Sequence, residues 1–233
     1  MNQIAQHLLQ VKERIAQAAG RAGRNVESIP LLAVSKTKPI EAIMAAHAAG
    51  QRRFGESYAQ EAAAKIDTLR QQEGYADIEW HFIGPLQSNK SRLVAERFDW
   101  VQSVDRDKLI ERLNNQRPAT MAPLNVCLQI NISGESSKFG TSEQEIFQLA
   151  ERVAQCERLV LRGLMAIPEH TSDEAVLAAQ MTRMQALFTE LARQYPSVDT
   201  LSMGMTEDLE LAIAHGSTMV RVGTAIFGAR DYS

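Results

Sequence analysis

Short apolar segments alternate with longer segments of helical period along the whole chain. The runs LLAVS at 31–35 and NVCLQINI at 125–132 are apolar on both faces, which is typical of buried parallel strands. This pattern predicts eight strands, at residues 31–35, 52–55, 79–83, 98–104, 125–132, 160–167, 198–203 and 218–223.

Helices are predicted ahead of the first strand and between the strands. The leading helix, over residues 4–20, has one apolar face because four apolar residues recur at helical spacing: Ile4, Leu8, Val11 and Ile15. The other predicted helices cover residues 39–49, 57–72, 88–96, 107–116, 142–156, 172–195 and 207–215. Thr171-x-x-Glu174 has capping-box spacing and predicts that a helix begins at this threonine.

Strands separated by helices imply parallel pairing with right-handed crossovers. Eight such units in 233 residues fit an α/β fold of the single (β/α)8 TIM-type barrel with an extra N-terminal helix. Little chain is left for a second domain, so residues 1–233 are expected to form one. A doubly wound open sheet is the alternative, and the lack of a G-x-G-x-x-G motif after the first strand argues against it.

Composition narrows the function classes. Lys and Arg number 25 against 28 Asp and Glu, and the resulting mild acidity argues against a nucleic-acid partner. No apolar run approaches the roughly 18–20 residues that span a bilayer, so no membrane partner is expected. Cys127 and Cys156 belong to no metal or redox spacing. We therefore expect a cytoplasmic protein without a metal site.

Lys36 follows the first predicted strand, and reactive groups in a TIM barrel come from the carboxyl ends of strands. Alternation places Lys36 on the same face as Leu32 and Val34, which a barrel can turn inward. A desolvated lysine has a lowered pKa and can form a Schiff base with an aldehyde. A solvated strand-end lysine is the alternative, and Lys38 is expected in solvent.

The loops after the last two strands are candidates for a phosphate site. Glycine lets backbone amides approach an anion, and hydroxyl groups add donors. These features occur in two segments, Leu201-Ser202-Met203-Gly204-Met205-Thr206 and Arg221-Val222-Gly223-Thr224. Ordinary strand-to-helix turns favour the same residue types.

Three further residues stand inside apolar segments. Arg221 needs an acceptor, either a buried carboxylate or an atom of a ligand. His81 has either a functional role or that of a hydrogen-bonded core histidine. Met165 has either a functional role or a plain packing role. An inward lysine, a phosphate cradle and a buried arginine together suggest an aldehyde that carries a phosphate. Pyridoxal 5′-phosphate and a sugar-phosphate carbonyl both fit.

Six motifs resemble those of one family. They are Ala33-Val-Ser-Lys36-Thr-Lys38, Phe54-Gly-Glu-Ser57-Tyr58, Trp80-His-Phe-Ile-Gly-Pro-Leu-Gln87-Ser-Asn89-Lys90, Gly163-Leu-Met165, Leu201-Ser-Met-Gly-Met205 and Arg221-Val-Gly-Thr-Ala-Ile-Phe-Gly228. With them the chain closely resembles, over essentially its whole length, the pyridoxal phosphate homeostasis protein family, also called the YggS or PROSC family.

The resemblance implies a barrel similar to the N-terminal domain of alanine racemase, with pyridoxal phosphate as its cofactor. It implies an internal aldimine on Lys36, Arg221 facing the pyridine nitrogen, and His81 and Met165 near the ring. The phosphate ligands it implies are Ser202, Met203, Gly204, Gly223 and Thr224. Ser57 departs from the family, which usually has Asn there, so its contact with the cofactor is expected to be shorter, water-mediated or missing.

The resemblance also implies a function without a well-established catalytic activity. It implies a protein that buffers pyridoxal phosphate or delivers it to pyridoxal phosphate-dependent apoenzymes, and so maintains vitamin B6 and amino-acid pools. A monomer is expected because the sequence shows no exposed apolar stripe that demands a partner. A racemase-like enzyme is the alternative, and a sugar-phosphate aldolase is a more distant one. Lys138 lies in the glycine-flanked loop 134–140 and is a hypothetical transient acceptor of the aldehyde.

Overall fold

The computed structural model describes residues 3–135 and 139–229, and within them the chain forms eight β-strands and nine α-helices. The strands are Leu31–Val34 (β1), Arg53–Glu56 (β2), Glu79–Phe82 (β3), Trp100–Val104 (β4), Leu124–Ile130 (β5), Leu159–Ala166 (β6), Thr200–Ser202 (β7) and Val220–Val222 (β8). The helices are Gln3–Arg21 (α1), Ile40–Ala48 (α2), Ala59–Arg70 (α3), Ser91–Arg97 (α4), Asp107–Gln116 (α5), Ile146–Ala154 (α6), Glu174–Gln194 (α7), Leu209–Ala214 (α8) and Thr224–Phe227 (α9).

All neighbouring strands are parallel and follow the order β7-β6-β5-β4-β3-β2-β1-β8. The two outer strands of this order meet through a parallel bridge between Ser202 and Met219. The amide of Arg221 also donates to the carbonyl of Gly204 at 2.9 Å across this seam. The sheet is therefore a nearly closed barrel, which confirms the predicted (β/α)8 fold over the open-sheet alternative.

Two apolar clusters follow from the alternation of side chains along the strands. The larger one fills the space between the sheet and the helices and includes Phe54 and Phe82. The smaller one consists of Trp100, Cys127 and Met165, each buried, on the inner face of the barrel. Side chains thus fill this part of the barrel interior.

Helix α1 fastens the segments that follow the last two strands. The guanidinium of Arg14 donates to the Glu210 carboxylate at 2.9 and 3.0 Å and to the carbonyl of Thr206 at 2.9 Å. His7 of the same helix hydrogen-bonds through Nδ1 to the carbonyl of Ile226, after β8, at 3.1 Å. The extra N-terminal helix therefore supports one side of the barrel mouth.

The largest differences from the predicted elements lie at helix starts. Helix α7 begins at Glu174 because the Asp173 carboxylate, not Thr171, accepts the first free amides. The Thr171 hydroxyl instead accepts from the amide of Asp173. Helix α6 starts four residues later than the prediction, and the short α9 was not predicted. Among the described residues, no helix combines the length and apolar character needed to cross a membrane.

Candidate functional site

A cavity of about 510 Å³ opens at the carboxyl ends of the strands. Its lining includes five residues predicted from the sequence: Lys36, Ser57, Arg221, Gly223 and Thr224. Five other predicted residues lie buried outside the lining: His81, Met165, Ser202, Met203 and Gly204. Lys138 falls outside the described residues. The structure thus brings the lysine and the buried arginine to one cavity.

Lys36 is half-buried directly after β1 and lines the cavity together with Val34, two residues earlier. Thr37, the next residue, has a φ of 63°, a backbone conformation that side-chain-bearing residues rarely adopt. Lys38, expected in solvent, lies outside the cavity lining, and its Nζ donates to the carbonyl of Ala229 at 2.5 Å in an exposed contact. Of the two neighbouring lysines, only Lys36 faces the cavity.

Arg221 is 4% exposed, and both of its partners are neutral. One terminal nitrogen donates to Ser202 Oγ at 2.8 Å and the other to the carbonyl of Ala166 at 2.9 Å. No carboxylate within the described ranges forms an ion pair with it, so the predicted buried Asp or Glu partner is not found there. Burial lowers the pKa of Arg221 to about 10, partly opposed by the charge of Asp208. The guanidinium therefore stays charged at neutral pH.

A chain of hydrogen bonds runs from Arg221 through the barrel interior. The Ser202 hydroxyl donates to Gln102 Oε1 at 2.6 Å, and Gln102 Nε2 donates to His81 Nδ1 at 2.9 Å. His81 Nε2 in turn donates to Glu79 Oε1 at 2.8 Å, at the amino end of β3. We call these residues, Arg221, Ser202, Gln102, His81 and Glu79, the inner network. In each of its hydrogen bonds, the donor is the residue nearer to Arg221 and the acceptor is the residue nearer to Glu79.

The electrostatics of the inner network place its charges at the two ends. Burial lowers the pKa of His81, so the ring is neutral, and it stacks on Trp100 with centroids 5.0 Å apart. Burial alone would raise the pKa of Glu79, but the hydrogen bond from His81 and the charge of Arg53 lower it to about 2. Neutral groups therefore link a guanidinium at the mouth to a carboxylate at the opposite end.

The segment after β7 reaches the cavity only beyond Gly204. The amide of Met203 donates to the carbonyl of Met219, and the Ser202 hydroxyl belongs to the inner network. The chain then turns at Gly204, and the next two residues, Met205 and Thr206, line the cavity. Within the predicted loop 201–206, Met205 and Thr206 therefore line the cavity and Ser202, Met203 and Gly204 lie behind it.

Two glycines at the mouth lie close to neighbouring elements. Gly204 has a φ of 95°, and a Cβ on it would lie 2.5 Å from Ala212 Cβ of α8. A Cβ on Gly223 would meet the carbonyl oxygen of Val34 at 3.2 Å. Glycine at these positions lets the last two strand ends pack tightly beside β1 and α8.

Residues of the WHFIGPLQSNK motif lie in different parts of the site. His81 lies in the inner network, whereas a Cβ on Gly84 would lie 2.3 Å from the carbonyl oxygen of Ser57. Glycine at position 84 therefore lets Ser57 approach the mouth. Gln87 and Lys90 line a neighbouring groove of about 630 Å³, which also includes Ser57.

Sequence reasoning missed Gln102 and Glu56, although a usable signal was present. Both are fully buried polar residues in strands, at β4 and β2. The rule that singled out Arg221, that a polar group among apolar strand residues must have a partner, applies equally to them. Their partners, however, come from distant parts of the chain, and no spacing rule identifies those.

Comparison with known proteins identifies the family of this chain. The family described as alanine racemase, N-terminal domain, matches residues 7–231. The pyridoxal phosphate homeostasis protein of Escherichia coli is 57% identical over 233 residues, covering 100% of this chain and 99% of that protein. The chain belongs to the pyridoxal phosphate homeostasis protein family. The family resemblance predicted from the motifs is confirmed, and the relatives carry the name of a homeostasis protein and not of an enzyme.

Solved structures extend the family comparison to the fold. PipY of Synechococcus elongatus, with pyridoxal phosphate bound, is 36% identical with a TM-score of 0.80, covering 97% of this chain and 100% of that chain. Alanine racemase of Corynebacterium glutamicum has a TM-score of 0.68 at 16% identity, and the match covers 100% of this chain and 62% of that one. The racemase therefore shares the fold alone with this family member.

Proposed function

We propose that this chain binds pyridoxal phosphate covalently through Lys36 and acts as a non-catalytic carrier that buffers the cofactor or delivers it to other proteins. One observation carries the proposal. Lys36 and the buried Arg221 line the same cavity, and no carboxylate in the described ranges pairs with this arginine. The cofactor bound to PipY supports the same ligand here.

The residues present fit pyridoxal phosphate. The cavity, at about 510 Å³, is in the range of small-molecule sites. The cofactor supplies an aldehyde carbon, and the half-buried Lys36 amine is the nucleophile we assign to it. Gly223 and Thr224 offer a backbone amide and a hydroxyl for the phosphate, with Met205 and Thr206 on the adjoining segment.

Arg221 supports a carrier over a catalyst. A guanidinium is a donor and has no acceptor, so it can donate to an unprotonated ring nitrogen but cannot hold a proton between itself and that atom. A carboxylate in that place would keep the nitrogen protonated and strengthen the electron sink for carbanion chemistry. Two guanidinium nitrogens already donate to Ser202 and Ala166, which fixes the side chain while N–H groups remain for a ligand.

The other assignments remain part of the proposal with different support. Ser57 lines the cavity and can contact the ligand directly or through water. His81, Met165 and Ser202 lie below the lining, where His81 and Ser202 act on the ligand through Arg221. Contacts from Met203 and Gly204, a monomeric state, apoenzyme partners and a cytoplasmic location stay predictions.

A transfer assay tests this function. The protein is loaded with pyridoxal phosphate, freed of excess ligand and mixed with the apo form of a pyridoxal phosphate-dependent enzyme. We expect the recipient to regain activity in proportion to the cofactor loaded, and Lys36→Ala to deliver none. Lys38→Ala, which changes the lysine bound to Ala229, is the matched control and should deliver normally. Turnover of amino acids by the loaded protein without delivery would contradict the carrier function.

A further inference from the structure

The residue before Lys36 is held from the outer face of the barrel. Ser35 and Glu56 are both fully buried, at adjacent carboxyl ends of β1 and β2, and neither lines the cavity. The Ser35 hydroxyl donates to Glu56 Oε1 at 2.7 Å. The buried carboxylate thus fixes the strand end that carries Lys36.

Lys65 of α3 completes this contact. Its Nζ donates to the carbonyl of Ser35 at 3.1 Å, to Glu56 Oε1 at 3.0 Å and to Glu61 Oε1 at 2.5 Å. An ammonium group has three donors, and here all of them are used. The helix is therefore joined to both strands beside the cavity at a site that is largely shielded from water, since the Lys65 side chain is 10% exposed.

The residue after Lys36 is held by the same helix. Thr37 is the one residue other than glycine with positive φ in the described ranges, and its amide donates to Glu61 Oε1 at 2.8 Å. Such a conformation persists only where surrounding contacts over-determine it. Glu61 supplies that contact, and the same oxygen accepts from Lys65.

Lys36 therefore has fixed main-chain neighbours on both sides, while it lines the cavity itself. We propose that Glu56, Glu61 and Lys65 form an outer clamp that positions Lys36 for attack on the aldehyde of its ligand. They are positioning residues, because they reach the reacting amine only through Ser35 and Thr37. This inference rests on the proposed function of Lys36.

The stability of the fold does not by itself require charged side chains in the outer clamp. A buried ion pair is often no more stabilising than apolar side chains of similar volume. Glu56 Oε2 is moreover buried without a hydrogen-bond partner in the described part of the chain. The charged groups instead fix orientation. The Ser35 hydroxyl, the Ser35 carbonyl and the Thr37 amide each form a hydrogen bond with a different charged side chain.

The test compares Glu61→Ala with Glu61→Gln. Alanine removes the acceptor for the Thr37 amide, whereas glutamine keeps a carbonyl oxygen there. The matched control is Glu96→Ala on α4, which removes surface contacts to Arg92 and Arg97. Apoprotein of each variant is mixed with pyridoxal phosphate, and separately with pyridoxal, which has no phosphate. The rate of the visible absorbance change and the borohydride-trapped label on Lys36 are measured.

We expect Glu61→Ala to slow labelling of Lys36 by both aldehydes, by about twofold to tenfold, as for the loss of one ordinary hydrogen bond. Glu61→Gln should recover most of the rate, and Glu96→Ala should match the parent. A purely structural role would lower the melting temperature of both Glu61 variants without separating their labelling rates, and that result would overturn the clamp. Parent-like labelling in Glu61→Ala would overturn it as well.

The same experiment separates the clamp from the proposed function. If the parent protein labels Lys36 while Glu61→Ala labels it equally fast, the clamp fails and the function stands. If the parent itself shows no label on Lys36, the proposed function fails, and the clamp with it.

Discussion

The inner network and the outer clamp hold the same mouth with opposite arrangements of charge. In the inner network, neutral Ser202, Gln102 and His81 separate the charges of Arg221 and Glu79. In the outer clamp, by contrast, charged side chains contact each other directly, both between α3 and β2 and within α3. The clamp pairs its cation directly with carboxylates, whereas no carboxylate in the described ranges forms an ion pair with the guanidinium of the inner network. A buried cation without a directly bound carboxylate is the one available to a ligand.

Among the variants that test this comparison, Lys65→Met is expected to change stability most. Removing one partner of a buried ion pair strands the other, so we expect a loss of about 3 kcal/mol of unfolding free energy at pH 7. Burial already raises the pKa of Glu56, with Lys65 the main opposing influence. Without the lysine, the folded-state pKa of Glu56 rises further above its unfolded value.

The sign of the pH dependence follows from that pKa. At low pH, Glu56 is protonated in both the folded and the unfolded state and does not destabilise the variant. Its destabilising contribution to the free energy of unfolding grows as the pH rises above the ordinary pKa of glutamate. Urea unfolding of variant and parent at pH 7 and pH 5 should therefore show a smaller difference at pH 5. Lys108→Met, at an exposed position on α5, is the control. A pH-independent difference would mean that Lys65 contributes through packing alone.

Gln102→Met breaks the inner network at its centre and should have the next largest effect. It leaves the Ser202 hydroxyl and His81 Nδ1 without their partner, which we expect to cost about 1–3 kcal/mol of unfolding free energy. It should also shift the absorbance of the loaded protein, because Arg221 loses the oriented hydroxyl. Ser103→Ala is a close control, since the Ser103 Oγ is buried with no partner among the described residues. An unchanged absorbance spectrum in Gln102→Met would show that the inner network does not influence the ligand.

The smallest effect is expected at the far end, at Glu79. Its folded-state pKa is lowered to about 2, so its stabilising contribution is present above the ordinary value of 4.5 and disappears as the pH falls from 4.5 to 2. Because the side chain is 35% exposed, solvent screening reduces this contribution to about 1 kcal/mol. Thermal unfolding between pH 2 and 5 should show a flatter profile for Glu79→Gln than for the parent. Identical slopes would exclude a stabilising charge at Glu79.

Much of the fold could be predicted because local patterns encode it. Apolar runs and helical periods along the chain predicted every strand, since burial on both faces leaves a continuous apolar signature. Helix starts were less predictable. Thr171 and Asp173 both offer an oxygen to free amides, and only the three-dimensional chain shows that the carboxylate takes them.

The site could be predicted where one residue faces the cavity and not where residues meet across the barrel. Alternation along one strand was enough to place Lys36 beside Val34 on the cavity wall. By contrast, the Ser202 hydroxyl meets Gln102, 100 residues away, and that pairing leaves no trace in either segment. The roles of Glu61 and Lys65 depend in the same way on how α3 packs over the ends of β1 and β2.

The most direct test of the account is to locate the covalent attachment of pyridoxal phosphate. The loaded protein is reduced with borohydride, digested, and analysed by peptide mass spectrometry. We predict one pyridoxyl group per chain, on Lys36. A stoichiometric label on Lys38, which binds the carbonyl of Ala229, or on Lys90 in the neighbouring groove would contradict the account.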